Sequence, residues 1–251
     1  MSLPLPSRLP VLALDTATEQ IAVGLHTGVA MHTRLAVGGS AASTRLLPEL
    51  QALLSQAGLA WSDVLAIAFG QGPGAFTGLR TACAVAQGLA WGLGCRLYPI
   101  DSLMVVAEDA RLQVKPDAAD LEVAVLMDAR MDEVYAASYR WTEGAWQVLQ
   151  APALCSLAVI QAQWARFEPL VVAGSALLAF ADRLALPEAS QRCAQERDRA
   201  SALLRLAVAA VSRGEGVNPA DALPLYLRDK VAQTSAERAQ IKALASRAVL
   251  S

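Results

Sequence analysis

Gly70-Gln71-Gly72-Pro73-Gly74-Ala75-Phe76-Thr77-Gly78-Leu79-Arg80 is the stretch that decides how this chain folds. A short apolar run, Val64 to Phe69, precedes it, and a long run of small and apolar residues, Thr77 to Gly94, follows. That order predicts strand, glycine-rich turn, helix. Glycine takes positive φ or lets another backbone come close, and Pro73 restrains the loop between Gly72 and Gly74. Thr77 is the expected N-cap. A phosphate-binding loop would need a lysine in G-x-x-x-x-G-K-[ST], and Lys115, Lys230 and Lys242 all lie elsewhere. The dinucleotide pattern G-x-G-x-x-G, read from Gly72, fails because Thr77 stands at its third glycine. A tight strand-to-helix turn made for packing is the third reading, with Gly70, Gly72, Pro73, Gly74 and Thr77 as its structural residues.

Outward from this loop lie Leu12-Ala13-Leu14-Asp15-Thr16-Ala17-Thr18 on one side and Asp128-Ala129-Arg130-Met131-Asp132-Glu133-Val134-Tyr135 on the other, followed by Pro224-Leu225-Tyr226-Leu227-Arg228. In this order the four segments resemble the hallmarks of the TsaB (YeaZ) family across nearly the whole chain, with Asp132 in a variable slot. The resemblance implies an α/β fold of two actin-like (ribonuclease H-like) domains, the second abbreviated. It implies a non-catalytic scaffold subunit in the synthesis of the threonylcarbamoyl group on the adenosine 3′ of the anticodon, in tRNAs reading A-starting codons. The catalytic TsaD would be its heterodimer partner, and the ATPase TsaE would contact the joint complex. The chain alone would form a homodimer and would meet tRNA only through the complex. Two other classes stay open: an actin-like ATP-dependent kinase or transferase acting on a small molecule and, more remotely, a metalloprotease, since the family was formerly grouped with glycoproteases.

Composition bounds these readings. The chain has 251 residues, 55% of them hydrophobic, enough for one large or two small domains with a substantial core. A net charge of −2 with scattered arginines argues against this chain alone gripping a polyanion. No apolar run reaches membrane-span length and the N-terminal segment makes a poor signal peptide, so a cytoplasmic location is expected.

No cofactor or metal is expected, and no catalytic residue. Cys83, Cys95, Cys155 and Cys193 form no C-x-x-C pair, and His26 and His32 are too few for a hydrolytic zinc site. Many relatives carry histidine where Ala42 stands, so that remnant is missing too. In actin-like enzymes, phosphates lie between two D-x-G turns, where backbone N–H groups approach them and the acids organise Mg²⁺. Here the matching turns read Asp15-Thr16-Ala17 and Asp128-Ala129-Arg130, and the adenosine glycine pair is reduced to Gly174-Ser175. Ala17 and Ala129 put a Cβ at each close-approach point, which describes a degenerate nucleotide site. Asp15 and Asp128 would then satisfy turn N–H groups rather than bind metal.

A coarse pass predicts strands at 11–15, 21–26, 31–37, 64–70 and 96–100 and helices at 43–57, 77–93 and 102–110. Charged residues 111–122 look like a connection between domain 1–110 and domain 111–251. In the second domain, strands are expected at 123–128, 133–140, 146–149 and 170–174, and helices at 156–166, 176–184 and 199–213. Helix 43–57 shows a leucine stripe that includes Leu46, Leu47 and Leu50. Helix 77–93 shows a core stripe and a second stripe of small groups, Gly78, Thr81, Val85, Gly88 and Gly92, flanked by Arg80, Gln87 and Trp91. Small residues admit another helix at close range. The resemblance makes these two helices the partner surface, with Leu46, Leu47, Leu50, Gly78, Arg80, Thr81, Val85, Gly88, Trp91 and Gly92 as its residues.

Overall fold

The computed structural model describes residues 10–164, 169–186 and 188–228. In chain order its elements are strands β1 (Val11–Asp15), β2 (Gln20–His26) and β3 (Met31–Val37), helix α1 (Ala42–Ala57), β4 (Ala66–Gly72), α2 (Phe76–Leu93), β5 (Arg96–Asp101) and α3 (Ser102–Val114). There follow β6 (Asp120–Asp128), β7 (Glu133–Thr142), β8 (Ala145–Ser156), α4 (Leu157–Trp164), β9 (Val171–Ala173), α5 (Ala176–Ala179), β10 (Gln191–Cys193) and α6 (Arg199–Arg213).

These elements build two five-stranded sheets, ordered β3-β2-β1-β4-β5 and β10-β9-β6-β7-β8. In both, the first three strands run antiparallel and the last two join in parallel. The same plan thus occurs twice, which is the actin-like two-domain fold. The second copy keeps all five strands, while α4 has eight residues and α5 four. β10 was not expected, because three residues carry no periodicity to read. The C-terminal end of the helix expected at 156–166 lies outside the described residues.

Alternation places the core. On β1, Leu12 and Leu14 face α1 and α2, while Val11 and Ala13 face α6. β4 repeats the scheme, with Ile67 and Phe69 on one side and Ala66 and Ala68 on the other. The small face lets α6 lie close: a Cβ at Gly24 would sit 3.0 Å from Leu204 Cβ. Helix α6, although it follows the second sheet in sequence, therefore packs on the first. Helix α3 lies between the sheets, with Val105 in the core beneath α6 and Leu103, Val106, Ala107 and Ala110 against β6 and β7.

The charged stretch that marked a linker begins instead as the buried end of α3, so a division after residue 110 falls inside a helix. The reason is that Arg111 is neutralised in place. It pairs with Glu108 at 2.8 Å, stacks 4.2 Å from the Trp141 ring and donates to the Pro116 carbonyl. Among the described residues no helix is long and apolar enough to cross a membrane.

Candidate functional site

The glycine-rich loop closes on its own chain. Asp15 ends β1 with its side chain fully buried. Its Oδ1 accepts from the Ala17 N–H at 2.5 Å, and its Oδ2 accepts from Ser102 Oγ at 3.2 Å and from Arg199 Nη2 at 3.0 Å. Arg199, equally buried at the start of α6, also reaches Glu196 at 2.5 Å. A Cβ at Gly70 would overlap the Asp15 carboxylate, and one at Gly78 would overlap the Thr16 carbonyl, which Gly78 approaches while its own carbonyl accepts from Thr16 Oγ1 at 2.7 Å. A Cβ at Gly74 would lie 2.5 Å from the Ala17 carbonyl, and one at Gly72, whose φ is +111°, 2.9 Å from the Leu225 carbonyl. All four glycines thus give room to groups of this chain. The loop carries a cis Gly72–Pro73 bond. The cap assignment is corrected: Ala75 is the N-cap of α2, and Thr77 lies inside the first turn, where its carbonyl accepts from Thr81 Oγ1.

The matching turn of the second half is more open. Asp128 Oδ1 accepts from the Arg130 N–H at 2.8 Å, and the Asp128 N–H donates to Ser175 Oγ at 3.1 Å. Ala129 is buried. Gly174 has φ +115°, and a Cβ there would overlap the Leu126 carbonyl. Arg130, Met131 and Asp132 all take left-handed conformations, with φ of 64°, 56° and 59°. Between the two turns runs a cleft of about 900 Å³, whose walls include Ala17, Glu19, Tyr135, Ser175, Arg199 and Arg228. Asp15 is not among its lining residues, so of the acids expected at a nucleotide site only Asp128 faces it.

None of the four cysteines or two histidines lines the cleft. Burial pushes all four cysteine thiols above their ordinary value, away from the thiolate. His26 Nδ1 accepts from the Gly28 N–H at 3.1 Å. Among the described residues no three His, Cys, Asp or Glu side chains cluster as a metal site would require.

The partner surface expected on α1 and α2 is only partly exposed. Leu46 and Leu50 are fully buried in the core, because the helix turns that stripe onto β2, and Gly78 is buried against the first turn. Thr81 and Val85 are half-buried. Gln87 points to the C-terminal segment, donating to the Pro219 and Ala222 carbonyls at 3.0 Å. Arg80 stacks over Phe76 at 3.8 Å and donates to the Tyr226 hydroxyl. What remains open is Leu47, 44% exposed, Trp91, 64% exposed, and Gly88 and Gly92, each with nothing within 4 Å of a Cβ position. Gly88 and Gly92 line a groove of about 560 Å³ with Leu47, Pro48, Gln51 and Trp61.

Sequence reasoning missed Arg199 and the role of Tyr226 and Arg228. Arg199 had no local signal, since it lies 184 positions from its partner Asp15. Arg228 did have one: it closes the Pro224–Arg228 motif, whose reach across the cleft only the fold reveals.

A family model described as "TsaD: tRNA N6-adenosine threonylcarbamoyltransferase" matches residues 37–236. The chain is 30% identical over 228 residues to the tRNA threonylcarbamoyladenosine biosynthesis protein TsaB of Escherichia coli, covering 88% of this chain and 96% of that protein. It is 40% identical over 128 residues to the TsaB of Haemophilus influenzae, covering 51% of this chain and 52% of that one. The solved structure of YeaZ from Pseudomonas aeruginosa superposes with a TM-score of 0.76 at 36% identity, covering 87% of this chain and all of that one.

Proposed function

Because this chain belongs to the TsaB (YeaZ) family, we propose that it serves tRNA threonylcarbamoyladenosine synthesis as a non-catalytic partner of TsaD. The observation that carries the reading is the exposed face of α1 and α2. Gly88 and Gly92 leave an open groove there, and Trp91 and Leu47 stand beside it as apolar anchors. A partner helix lying over two glycines can approach closely and cover Trp91. The same face would pair two copies of the chain about a two-fold axis when TsaD is absent. TsaE would join only the assembled pair, and tRNA would be met through it.

The cleft supports the non-catalytic half of the reading. Asp15 is held by Arg199 and Ser102, and the space at the loop glycines is taken by the Asp15 carboxylate itself and by the Thr16, Ala17 and Leu225 carbonyls. An ATP-dependent kinase would need that acid free for Mg²⁺ and that backbone free for phosphate. Omission assays test the proposal. With TsaD, TsaE, ATP, the threonylcarbamoyl donor and tRNA present, modification should need this chain, and the chain without TsaD should give none. Modified adenosine made by this chain in the absence of TsaD would overturn the non-catalytic assignment.

A further inference from the structure

The segment Ala222–Arg228 crosses from one half of the molecule to the other. Its approach is tied to the first half by the Leu97–Val217 bridge and by Gln87, which holds the Pro219 and Ala222 carbonyls. The Leu225 N–H donates to the Gln71 carbonyl at 2.7 Å, at the floor of the glycine-rich loop. Tyr226 packs its ring 5.2 Å from Phe76 and accepts from Arg80. Two residues later the chain has changed sides. Arg228 Nη2 pairs with Glu133 at 2.7 Å and donates to the Ala129 carbonyl at 3.0 Å, while its Nη1 lies 3.1 Å from Met131 Sδ.

Those acceptors belong to an unusual turn. Three successive non-glycine residues, Arg130 to Asp132, hold positive φ, a conformation that costs each of them free energy. The turn turns the Ala129 and Arg130 carbonyls towards one guanidinium, whose planar fork can serve carbonyl and carboxylate together. Elsewhere the halves meet around α3, through apolar packing and through side-chain hydrogen bonds from Tyr139 to Asp101 and from Trp146 to Glu108. The junction at Arg228 lies apart from those apolar clusters. Its side-chain exposures are 17% for Arg228 and 35% for Glu133, so water can replace its bonds without exposing a core.

We propose that Ala222–Arg228 is a clasp across the cleft, with α3 as the permanent joint and Arg228 as the releasable end. Release of Arg228 frees the 129–133 turn and lets the cleft widen, while Tyr226 stays seated on α2. The proposal does not depend on pairing with TsaD, and its test uses the chain alone.

Amide hydrogen exchange of Arg228→Ala against the unaltered chain reads the first consequence. Exchange over 127–134 should rise about tenfold, the size expected for losing a charged hydrogen-bond network, while 11–26 in β1 and β2 stays unchanged. Arg228→Lys, which keeps the Glu133 pair but not the fork, should fall between. Spin labels at Glu19 and Leu178, with Cys95 and Cys155 replaced by serine, read the second consequence. Their distance distribution should lengthen or broaden in Arg228→Ala. Unchanged exchange at 127–134, acceleration spread evenly over the chain, or an unaltered distance distribution would each overturn the clasp.

Discussion

The turns after β1 and β6 occupy matching places in the two repeats and obey the same local rule. In each, an aspartate accepts the N–H two residues on, Ala17 for Asp15 and Arg130 for Asp128. Their fates differ completely. Asp15 is covered by α6 and locked to Arg199, whereas Asp128 faces the cleft beside an Arg130 side chain that is 80% exposed. The difference lies in what packs above. Helix α6 returns to the first sheet and brings Arg199 with it, whereas α3 on one face of the second sheet and the short α4 and α5 on the other bring no cation to Asp128 among the described residues. Identical turn chemistry therefore gives an internal ion pair in one half and an accessible wall in the other.

Removing the cation should break the comparison most strongly. Arg199→Ala leaves a buried carboxylate uncompensated, and a loss of about 3–5 kcal/mol is expected in urea unfolding. A loss as small as that of an exposed pair would show that water reaches Asp15. Next comes the clearance that lets the acid in. Gly70→Ala should cost about 1–3 kcal/mol, since Asp15 or β4 must shift. Gly88→Ala, with open space at its Cβ, should leave stability unchanged or raise it by about 0.5–1 kcal/mol. Equal effects of the two substitutions would erase the distinction between the packed glycine-rich loop and the open end of α2. For the second turn, Asp128→Ala should cost only about 0.5–1.5 kcal/mol, one hydrogen bond's worth. A cost matching Arg199→Ala would mean the two turns are equally structural.

The smallest effect concerns Asp101, the N-cap of α3 where the halves join. Burial pushes its carboxyl above the ordinary carboxylate value, against the opposing pull of the Tyr139 hydroxyl and the Leu103 and Met104 N–H groups. The folded chain thus holds this proton more tightly than the unfolded chain. Its contribution is fully present below the ordinary value and declines as pH rises through the folded one. Asp101→Asn, which keeps a capping oxygen, should flatten stability against pH across that acid window. Parallel slopes for the variant and the parent would contradict the assignment.

Much of the fold was legible because periodicity and punctuation agree in this chain. β1, β3 and α6 lie where alternation and the 3.6-residue stripe place them, and Gly58 ends α1 with φ +69°. The site was legible in its motifs but not in its sides. A leucine stripe marks a buried face without saying whether the same domain or a partner buries it, so Leu46 and Leu50 looked available and are not. Gly78 and Gly88 are alike in sequence, yet one meets Thr16 and the other meets nothing. Charge misled at Arg111, where Glu108 and Trp141 make a buried site for it. Arg199 could not be found locally, because its partner is brought to it only by the return of α6 to the first sheet.

The partner-subunit account rests on the open end of α2, and one substitution addresses it directly. Gly88→Arg places a charged side chain where a Cβ now meets nothing, so the chain should fold with an unchanged melting temperature. Sedimentation with a TsaD protein from the same source then decides. The account predicts that the unaltered chain forms a complex and that Gly88→Arg weakens it at least about a hundredfold, since an unpaired charge would be buried at the contact. A folded Gly88→Arg chain that binds TsaD as tightly as its parent would contradict it.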